Sequence, residues 1–145
     1  MTDTRFSSAI HTLIMIAGSE APLTSEEIAK SVGTNSSYIR KLTALLRKGE
    51  IIKGRPGVGG FSLCVPPEKL TLYMIYNAIF ETEHIHVFDL HQNANDKCIV
   101  GEHIKPVLST AFYSIEQKAE EELKKQTLSD LMDKMRKEIS KGAKK

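Results

Sequence analysis

The sequence predicts a mainly α-helical fold that carries one small β-hairpin. Apolar residues recur at three- and four-residue spacing in several stretches, which is typical of helices with one buried face. Residues 53–60 are instead rich in glycine and lie between two short apolar runs, which indicates a hairpin. From about residue 101 the helical spacing continues to Leu123, which predicts one long helix near the end of the chain.

Length and composition describe an ordinary globular protein. The chain has 145 residues, of which 41% are hydrophobic and 26% are charged, and this suits one domain with a modest core. No apolar run approaches the ~20 residues of a membrane span, and the N-terminus lacks the pattern of a signal peptide. Two cysteines far apart in sequence do not form a disulfide framework. We therefore expect a cytoplasmic protein that does not associate with membranes.

The first helix is predicted over residues 4–20, and Gly18 and Pro22 mark its end. Its predicted buried stripe consists of Phe6, Ala9, Ile10, Leu13, Ile14 and Ala17. His11 lies beside this stripe, so we expect a partly buried structural histidine there rather than a metal ligand.

A short second helix follows, with a signal at each end. Thr24 or Ser25 can cap its first turn, and Glu27 follows Thr24 by three residues, as in a capping box. Gly33 ends the helix, because glycine adopts the left-handed conformation without strain. The inward positions are Ile28, Ala29 and Val32.

A third helix is predicted over residues 38 to about 48 and ends at Gly49. The candidate caps before it are Thr34, Asn35, Ser36 and Ser37, and the inward positions are Ile39, Leu42, Leu45 and Leu46. Two short helices joined by a tight turn make a helix-turn-helix, whose second helix reads base edges from its N-terminal part. The residues that offer polar groups and positive charge there are Asn35, Ser36, Ser37, Tyr38, Arg40 and Lys41. These residues are therefore predicted to contact DNA.

The hairpin after the third helix completes a winged helix-turn-helix. Ile51 and Ile52 begin its first strand, and residues 61–63 form the return strand. A tip rich in glycine, including Gly57 and Gly59, lets the backbone approach a phosphate chain closely. Arg55 could enter a minor groove and Lys53 could hold a phosphate. Between residues 35 and 60 there are six basic residues and only one acidic residue, which supports a DNA-binding surface.

The rest of the chain is predicted to be helical, apart from residues 82–100. A fourth helix leads from Leu72 to about residue 81, with Leu72, Ile75, Tyr76 and Ile79 inward. The long helix begins near Gly101 and has Pro106 in its first turn. Thr127 or Ser129 caps a last helix, and residues 141–145 are expected to fray.

The predicted organisation is a DNA-binding unit over residues 1–81, a sensor loop over 82–100, and a C-terminal helical part over 101–145, all in one compact unit. The long helix outruns the core of a domain this small, so we expect its apolar stripe to pack against a second copy of the chain. The predicted dimerisation residues are Ile104, Leu108, Ala111, Phe112, Ile115 and Leu123. In such a dimer, two recognition helices about 34 Å apart can read two half-sites of DNA.

Several segments together resemble one bacterial family of regulators, often called the Rrf-two family, which includes the iron–sulphur cluster, nitric-oxide-sensing and cysteine-metabolism regulators. The matching segments are residues 6–13, 23–29, 38–42, 45–51, 54–61 and 67–79, and the glycine-rich wing is the most specific of them. The chain looks most similar to the thiol-bearing branch without a cluster, sometimes named YwnA-like. The resemblance implies a homodimer that binds a partly palindromic operator in double-stranded DNA and usually represses. It also implies that Arg5 and Ser7, at the start of the first helix, approach the DNA backbone.

Cys98 is the candidate sensor residue. Cluster-bearing relatives have three cysteines in this region, whereas this chain keeps only Cys98, so no cluster or other cofactor is expected. A thiolate near a helix N-terminus can be unusually reactive, so one hypothesis is a redox or electrophile sensor and the other is an inert thiol. Cys64, at the end of the wing, is expected to be buried and inert, and whether the two cysteines pair stays open. A metal site drawn from His84, His86, His91, Cys98 and His103 is a further alternative, although these spacings match no standard ligand pattern.

Other classes of function fit the sequence less well. A winged helix can also serve as a protein-interaction module, in which case the basic wing would meet an acidic partner. A regulator that responds to a small ligand or a metal, rather than to redox state, is another alternative. An enzyme is not expected, because the sequence shows no Ser-His-Asp arrangement, no phosphate loop of the Walker type and no convincing metal constellation.

Overall fold

The computed structural model describes residues 3–143. Within this range the chain forms six helices and one two-stranded antiparallel sheet, which confirms the mainly α-helical fold with a β-wing. The elements are α1 (Arg5–Gly18), α2 (Ser25–Val32), α3 (Ser36–Lys48), β1 (Ile52–Gly54), β2 (Phe61–Leu63), α4 (Leu72–Phe80), α5 (Ile99–Lys125) and α6 (Leu128–Ala143). No helix of the described residues is long and apolar enough to cross a membrane.

The predicted caps define α2 and α3. The Thr24 side chain accepts a hydrogen bond from the Glu27 amide at 3.1 Å, and Gly33 ends α2 with a φ of +86°. The Asn35 side chain accepts a hydrogen bond from the Tyr38 amide at 2.8 Å. Because Asn35 is the cap, α3 begins at Ser36, two residues earlier than predicted.

The predicted stripe of α1 faces the core: Ala9 and Leu13 are buried, and its other members are half-buried against the core. Thr12 and Ile16 are buried together with Ala9 and Leu13. His11 is exposed instead, with its Nε2 atom 2.9 Å from the Ser31 hydroxyl. The expectation of a partly buried His11 is therefore wrong, because this position lies on the outer side of α1 and needs only a surface partner.

One hydrophobic core joins α1–α4 to the start of α6. Its buried members include Leu13, Ile28, Ile39, Leu46, Ile52, Ile75 and Leu128. The Leu128 amide also donates a hydrogen bond to the Leu70 carbonyl at 2.8 Å, which ties α6 to the segment before α4. The C-terminal part therefore contributes a core residue to the N-terminal unit, while the boundaries proposed at residues 82 and 101 stay a prediction.

The long helix α5 begins earlier than expected. The Glu102 amide donates to the Cys98 carbonyl at 2.8 Å, so the helix starts at Ile99. Pro106 consequently lies inside α5, and its predicted place in the first turn is wrong. The proline lacks an N–H group for the Glu102 carbonyl, yet the helix continues to Lys125.

The last helix is capped by Thr127, not by Ser129. The Thr127 hydroxyl accepts from the Asp130 amide at 3.1 Å, and the Asp130 carboxylate accepts from the Thr127 amide at 3.0 Å. These reciprocal bonds form a capping box. Residues 141–143 belong to α6, so the expected fraying does not occur there, and residues 144–145 lie outside the described residues.

Candidate nucleic-acid interface

Helix α3 has one buried and one exposed face. Ile39, Leu42, Thr43 and Leu46 are buried. The opposite face is exposed and carries Ser37, Arg40, Lys41, Ala44 and Lys48. Ala44 was not among the predicted contact residues. It is exposed on the same face as these basic side chains, and its small side chain lets another molecule approach α3 closely. The face predicted to meet DNA is thus free of the core.

The start of α3 is only partly available to a ligand. The Asn35 side-chain oxygen is used in capping, which leaves its amide nitrogen as a donor. Ser36 and Tyr38 are half-buried, and Ser37 is exposed. The four residues therefore offer donors at the helix start, with Ser37 the most accessible of them.

A polar notch of about 490 Å³ joins the start of α1 to the turn between α2 and α3. It is lined by Thr4, Ser7, Ser8, Val32, Gly33, Thr34 and Tyr38. Thr4 makes no side-chain capping bond, so the first-turn amides of α1 lack that partner. A helix N-terminus of this kind is suited to a phosphate oxygen. Sequence reasoning missed Thr4, Ser8 and Thr34, which only the approach of the two segments brings together.

Arg5 is engaged within its own chain. Its guanidinium Nη2 lies 2.7 Å from the Asp3 carboxylate, and its Cζ lies 4.8 Å from the centre of the Phe80 ring. The side-chain hydrogen bonds that Arg5 donates to the Asp3 carboxylate raise the pKa of Arg5 and lower that of Asp3. Arg5 is thus near the predicted interface, but its charge is already paired.

A tight turn forms the tip of the wing. The Val58 amide donates to the Arg55 carbonyl at 3.2 Å, and Gly57 follows Pro56 with a φ of +74°. Proline followed by a residue of positive φ is typical of a type II turn. Gly59 also has a positive φ, of +84°, so both glycines are required by the backbone of the tip.

The wing is fixed against the body of the protein at its root. Gly60 has a φ of +74°, and a Cβ atom there would lie 2.9 Å from the Leu23 nitrogen. The Arg47 guanidinium, at the end of α3, lies 6.0 Å from the centre of the Phe61 ring. These contacts hold the wing next to both the α1–α2 loop and α3.

The basic side chains of this region differ in their pairing. Arg40 lies 3.4 Å from Glu26, and Lys48 lies 2.6 Å from Glu81, whose hydrogen bond raises the pKa of Lys48. Among the residues that the structure describes, no ion pair neutralises Lys41, Lys53 or Arg55. One of these three lies on α3 and two lie on the wing. They form a positively charged surface, which we call the α3–wing surface.

Cys98 is the N-cap residue of α5 and is exposed. The nearby backbone N–H groups of Gly101, and then of Val100, lower the pKa of the thiol, although the Cys98 side chain makes no capping hydrogen bond. Gly101 itself is required here, because a Cβ at this position would overlap the Asn95 carbonyl oxygen. Cys64 is also a free, exposed cysteine, so its expected burial is wrong: it follows the last residue of β2, outside the core.

Only part of the α5 face predicted to form the dimer interface is exposed. Val100, Ile104, Val107, Ala111 and Ile115 share one stripe of the helix. Within this stripe Val107 is 63% exposed and Ile115 48% exposed. Phe112 instead packs on Phe88 with ring centres 5.1 Å apart, Leu123 packs against the core, and Leu108 is half-buried.

Comparisons with known proteins agree with this geometry. A family model described as Rrf2, iron-dependent transcriptional regulator, matches residues 2–134. YwnA of Bacillus subtilis (strain 168), provisionally assigned as an HTH-type transcriptional regulator, is 38% identical over 133 residues, or 92% of this chain and 98% of YwnA. A crystal structure of a protein provisionally described as DNA-binding is 35% identical, with a TM-score of 0.72 over 88% of this chain and 98% of its own. IscR of T. potens shares the fold at 22% identity, with a TM-score of 0.68 over 93% and 88% of the two chains.

The family description names iron, but this chain lacks the set of side chains that would bind an iron–sulphur cluster. Iron–sulphur clusters need several thiolates, whereas residues 82–103 contain Cys98 alone. Within residues 3–143, no three His, Cys, Asp or Glu side chains are grouped closely enough to hold a metal ion. The residues present therefore do not fit a cluster.

Proposed function

Because the chain belongs to the Rrf2 family of transcriptional regulators, we propose that it is a homodimeric repressor that binds a partly palindromic DNA operator. The observation that carries this proposal is the α3–wing surface. Among the described residues no carboxylate pairs with Lys41, Lys53 or Arg55, which lie on the exposed face of α3 and on the wing beside it.

The two parts of the surface have different tasks. The exposed face of α3, with Ser37, Arg40 and Lys41, contacts base edges and supplies sequence specificity. The wing contributes Arg55 to the minor groove and Lys53 to a phosphate. The polar notch at the start of α1 takes a second phosphate through backbone N–H groups beside Ser7, whose hydroxyl donates to the Thr4 carbonyl at 3.1 Å.

Dimerisation is proposed to occur through the exposed stripe of α5. The only fully buried residue of this 27-residue helix is Glu120, so the helix is not held by an apolar core of its own. An exposed apolar stripe on a helix of about 40 Å is typical of an interface between chains. Val100, Val107 and Ile115 provide the side chains that a second copy would bury.

The proposal also includes control of DNA binding by Cys98. The thiolate is favoured by the α5 N-terminus, and a thiolate is the form that oxidants and alkylating agents attack. Modification would place a larger or charged group at the N-cap of α5, beside the Gly101 and Val100 amides. A shift of the first turn of α5 would change the spacing of the two α3 helices in the dimer and so lower the affinity for the operator.

The test is fluorescence anisotropy on duplex DNA from upstream of the protein's own gene. We expect sequence-specific binding that weakens as salt rises, because phosphate contacts release counterions. The same titration is repeated after diamide, with Cys98→Ser as the matched variant and Cys64→Ser as its control.

Each result separates the parts of the proposal. Binding that is lost on oxidation in the wild type and in Cys64→Ser, but retained in Cys98→Ser, supports the thiol switch. Binding that is indifferent to diamide contradicts the switch and leaves the regulator. Equal affinity for operator and scrambled DNA would contradict a sequence-specific regulator and favour an interaction module. A reporter gene that is more active without the protein than with it supports repression rather than activation.

A further inference from the structure

A second cavity shares none of its lining residues with the α3–wing surface. Its volume is about 490 Å³, within the range of about 300–1,000 Å³ that is usual for small-molecule sites. It lies between the segment after α4 and the middle of α5. The lining residues are Thr82, His84, Ile85, His86, Tyr113, Glu116, Gln117 and Glu120.

Glu120 is the unusual member of this lining. Its side chain is only 9% exposed, yet its carboxylate oxygens keep contact with solvent, since the fully buried side-chain oxygen without a hydrogen-bond partner among the described residues is that of Asn77. Among the described residues its one charged contact is His84, whose Nδ1 lies 3.9 Å from Oε1, beyond hydrogen-bonding distance. No described group donates a hydrogen bond to the Glu120 carboxylate.

The nearby groups that could neutralise Glu120 are otherwise engaged. Lys124, one helical turn later on α5, places its Nζ 4.6 Å from the centre of the Tyr73 ring. Glu116, which shares the cavity, is a second carboxylate and accepts a hydrogen bond from the Val87 amide at 2.7 Å, so it adds negative charge rather than neutralising Glu120. The ring of His86 lies 2.6 Å from Asp89. The negative charge of Glu120 is thus left facing the cavity.

The remaining walls suit an organic cation better than a bare metal ion. Ile85 is buried and gives an apolar surface, and the Tyr113 ring is exposed at the edge of the cavity. Aromatic faces attract ammonium groups. The described His, Cys, Asp and Glu residues, by contrast, include no group with the geometry of a metal site.

We propose that this cavity binds a small organic ammonium compound, with its charged group at Glu120 and its apolar part against Ile85 and Tyr113. The inference goes beyond the proposed regulator function and does not depend on DNA binding. At about 100° per residue, Glu120 lies about 180° around α5 from Ala111. A second copy that covers the exposed stripe would therefore leave the cavity open.

The test is isothermal titration calorimetry of the full chain with phenethylammonium, and with phenethyl alcohol as the uncharged probe. Glu120→Gln removes the charge and keeps the shape, while Glu121→Gln changes an exposed neighbour on the same helix. We expect wild type and Glu121→Gln to bind phenethylammonium alike. Glu120→Gln should bind it at least about tenfold more weakly, and the alcohol should bind at least about tenfold more weakly than the amine.

Tyr113→Ala provides an independent variant, because Tyr113 is exposed and its loss does not threaten the core. Weaker binding in this variant supports the proposed pose. The proposal is overturned if phenethylammonium shows no saturable binding up to about 10 mM, or if Glu120→Gln or the alcohol binds as well as wild type binds the amine. Saturable binding of zinc chloride that requires Glu120, without binding of the amine, would also overturn it.

Discussion

The end of α3 touches α4 where Gly49 faces Ala78. A Cβ atom on Gly49 would lie 2.8 Å from the Ala78 Cβ, closer than real Cβ contacts approach. Gly49 itself has a φ of −80°, so its small size matters here rather than a left-handed backbone. This contact limits how closely the end of α3 can pack on α4.

Gly49→Ala should therefore destabilise the protein by about 1–3 kcal/mol through overpacking. Ala78→Gly creates space for the new methyl group, so the double variant should lose less stability than the sum of the two single variants. Urea unfolding gives the free energies, and Gly18→Ala, with no atom near the added Cβ, is the control. Strict additivity would show that Gly49 and Ala78 do not limit this packing.

The wing can be tested separately from α3. Arg55→Ala should weaken operator binding by about 1–3 kcal/mol, since it removes a groove contact. Lys53→Ala should reduce the slope of log affinity against log salt by about one, since it removes one phosphate contact. Lys134→Ala, on an exposed position of α6, is the control and should leave both quantities unchanged. An unchanged affinity in Arg55→Ala would exclude the wing from the interface.

The dimer stripe offers a matched pair of variants, because Val107 and Tyr113 are both 63% exposed on α5. They lie about 120° apart around the helix. Val107→Gln should shift the sedimentation equilibrium towards monomer by burying a polar group in the interface, whereas Tyr113→Gln should leave it unchanged. Dissociation by Tyr113→Gln alone would place the interface on the other side of α5.

The reactivity of Cys98 should follow its lowered pKa. The backbone N–H groups of Gly101 and Val100 lower the pKa of the thiol, so the rate of iodoacetamide labelling should reach half its maximum below pH 9.0, the ordinary value. Mass spectrometry separates labelling of Cys98 from labelling of Cys64. A midpoint at or above pH 9.0 for Cys98 would contradict an activated thiol.

His86 should titrate above its ordinary pKa of 6.5, mainly because it hydrogen-bonds to Asp89. The protonated ring is favoured in the folded state, so its stabilising contribution is complete below the unfolded pKa and is lost as pH rises through the folded pKa. NMR titration of the His86 ring measures the midpoint. Asp89→Asn should lower the midpoint of the His86 titration. Asp96→Asn removes a charge from an exposed residue of the same loop and should leave this midpoint unchanged. An unchanged midpoint in Asp89→Asn would rule out this pairing.

Local signals made the helix-turn-helix and wing predictable from sequence. The hydroxyl of Thr24, the left-handed turn at Gly33 and the Pro56–Gly57 tip each act within a few residues, and the structure contains all three. The candidate DNA-contact positions on α3 followed from the same periodicity. Thr4, Ser8 and Thr34 could not be found this way, because they meet only where α1 approaches the α2–α3 turn.

The sequence by itself determined the helices, their caps, the wing and the excess of basic residues beside it, because each of these depends on neighbours along the chain. Tertiary structure alone decided which charges stay unpaired. It placed Arg5 over Phe80 and paired Lys48 with Glu81, exposed His11 and Cys64, and turned Glu120 towards a cavity. Burial and pairing depend on which segments meet in space, and the free energy of a charge is set by that environment rather than by its place in the sequence.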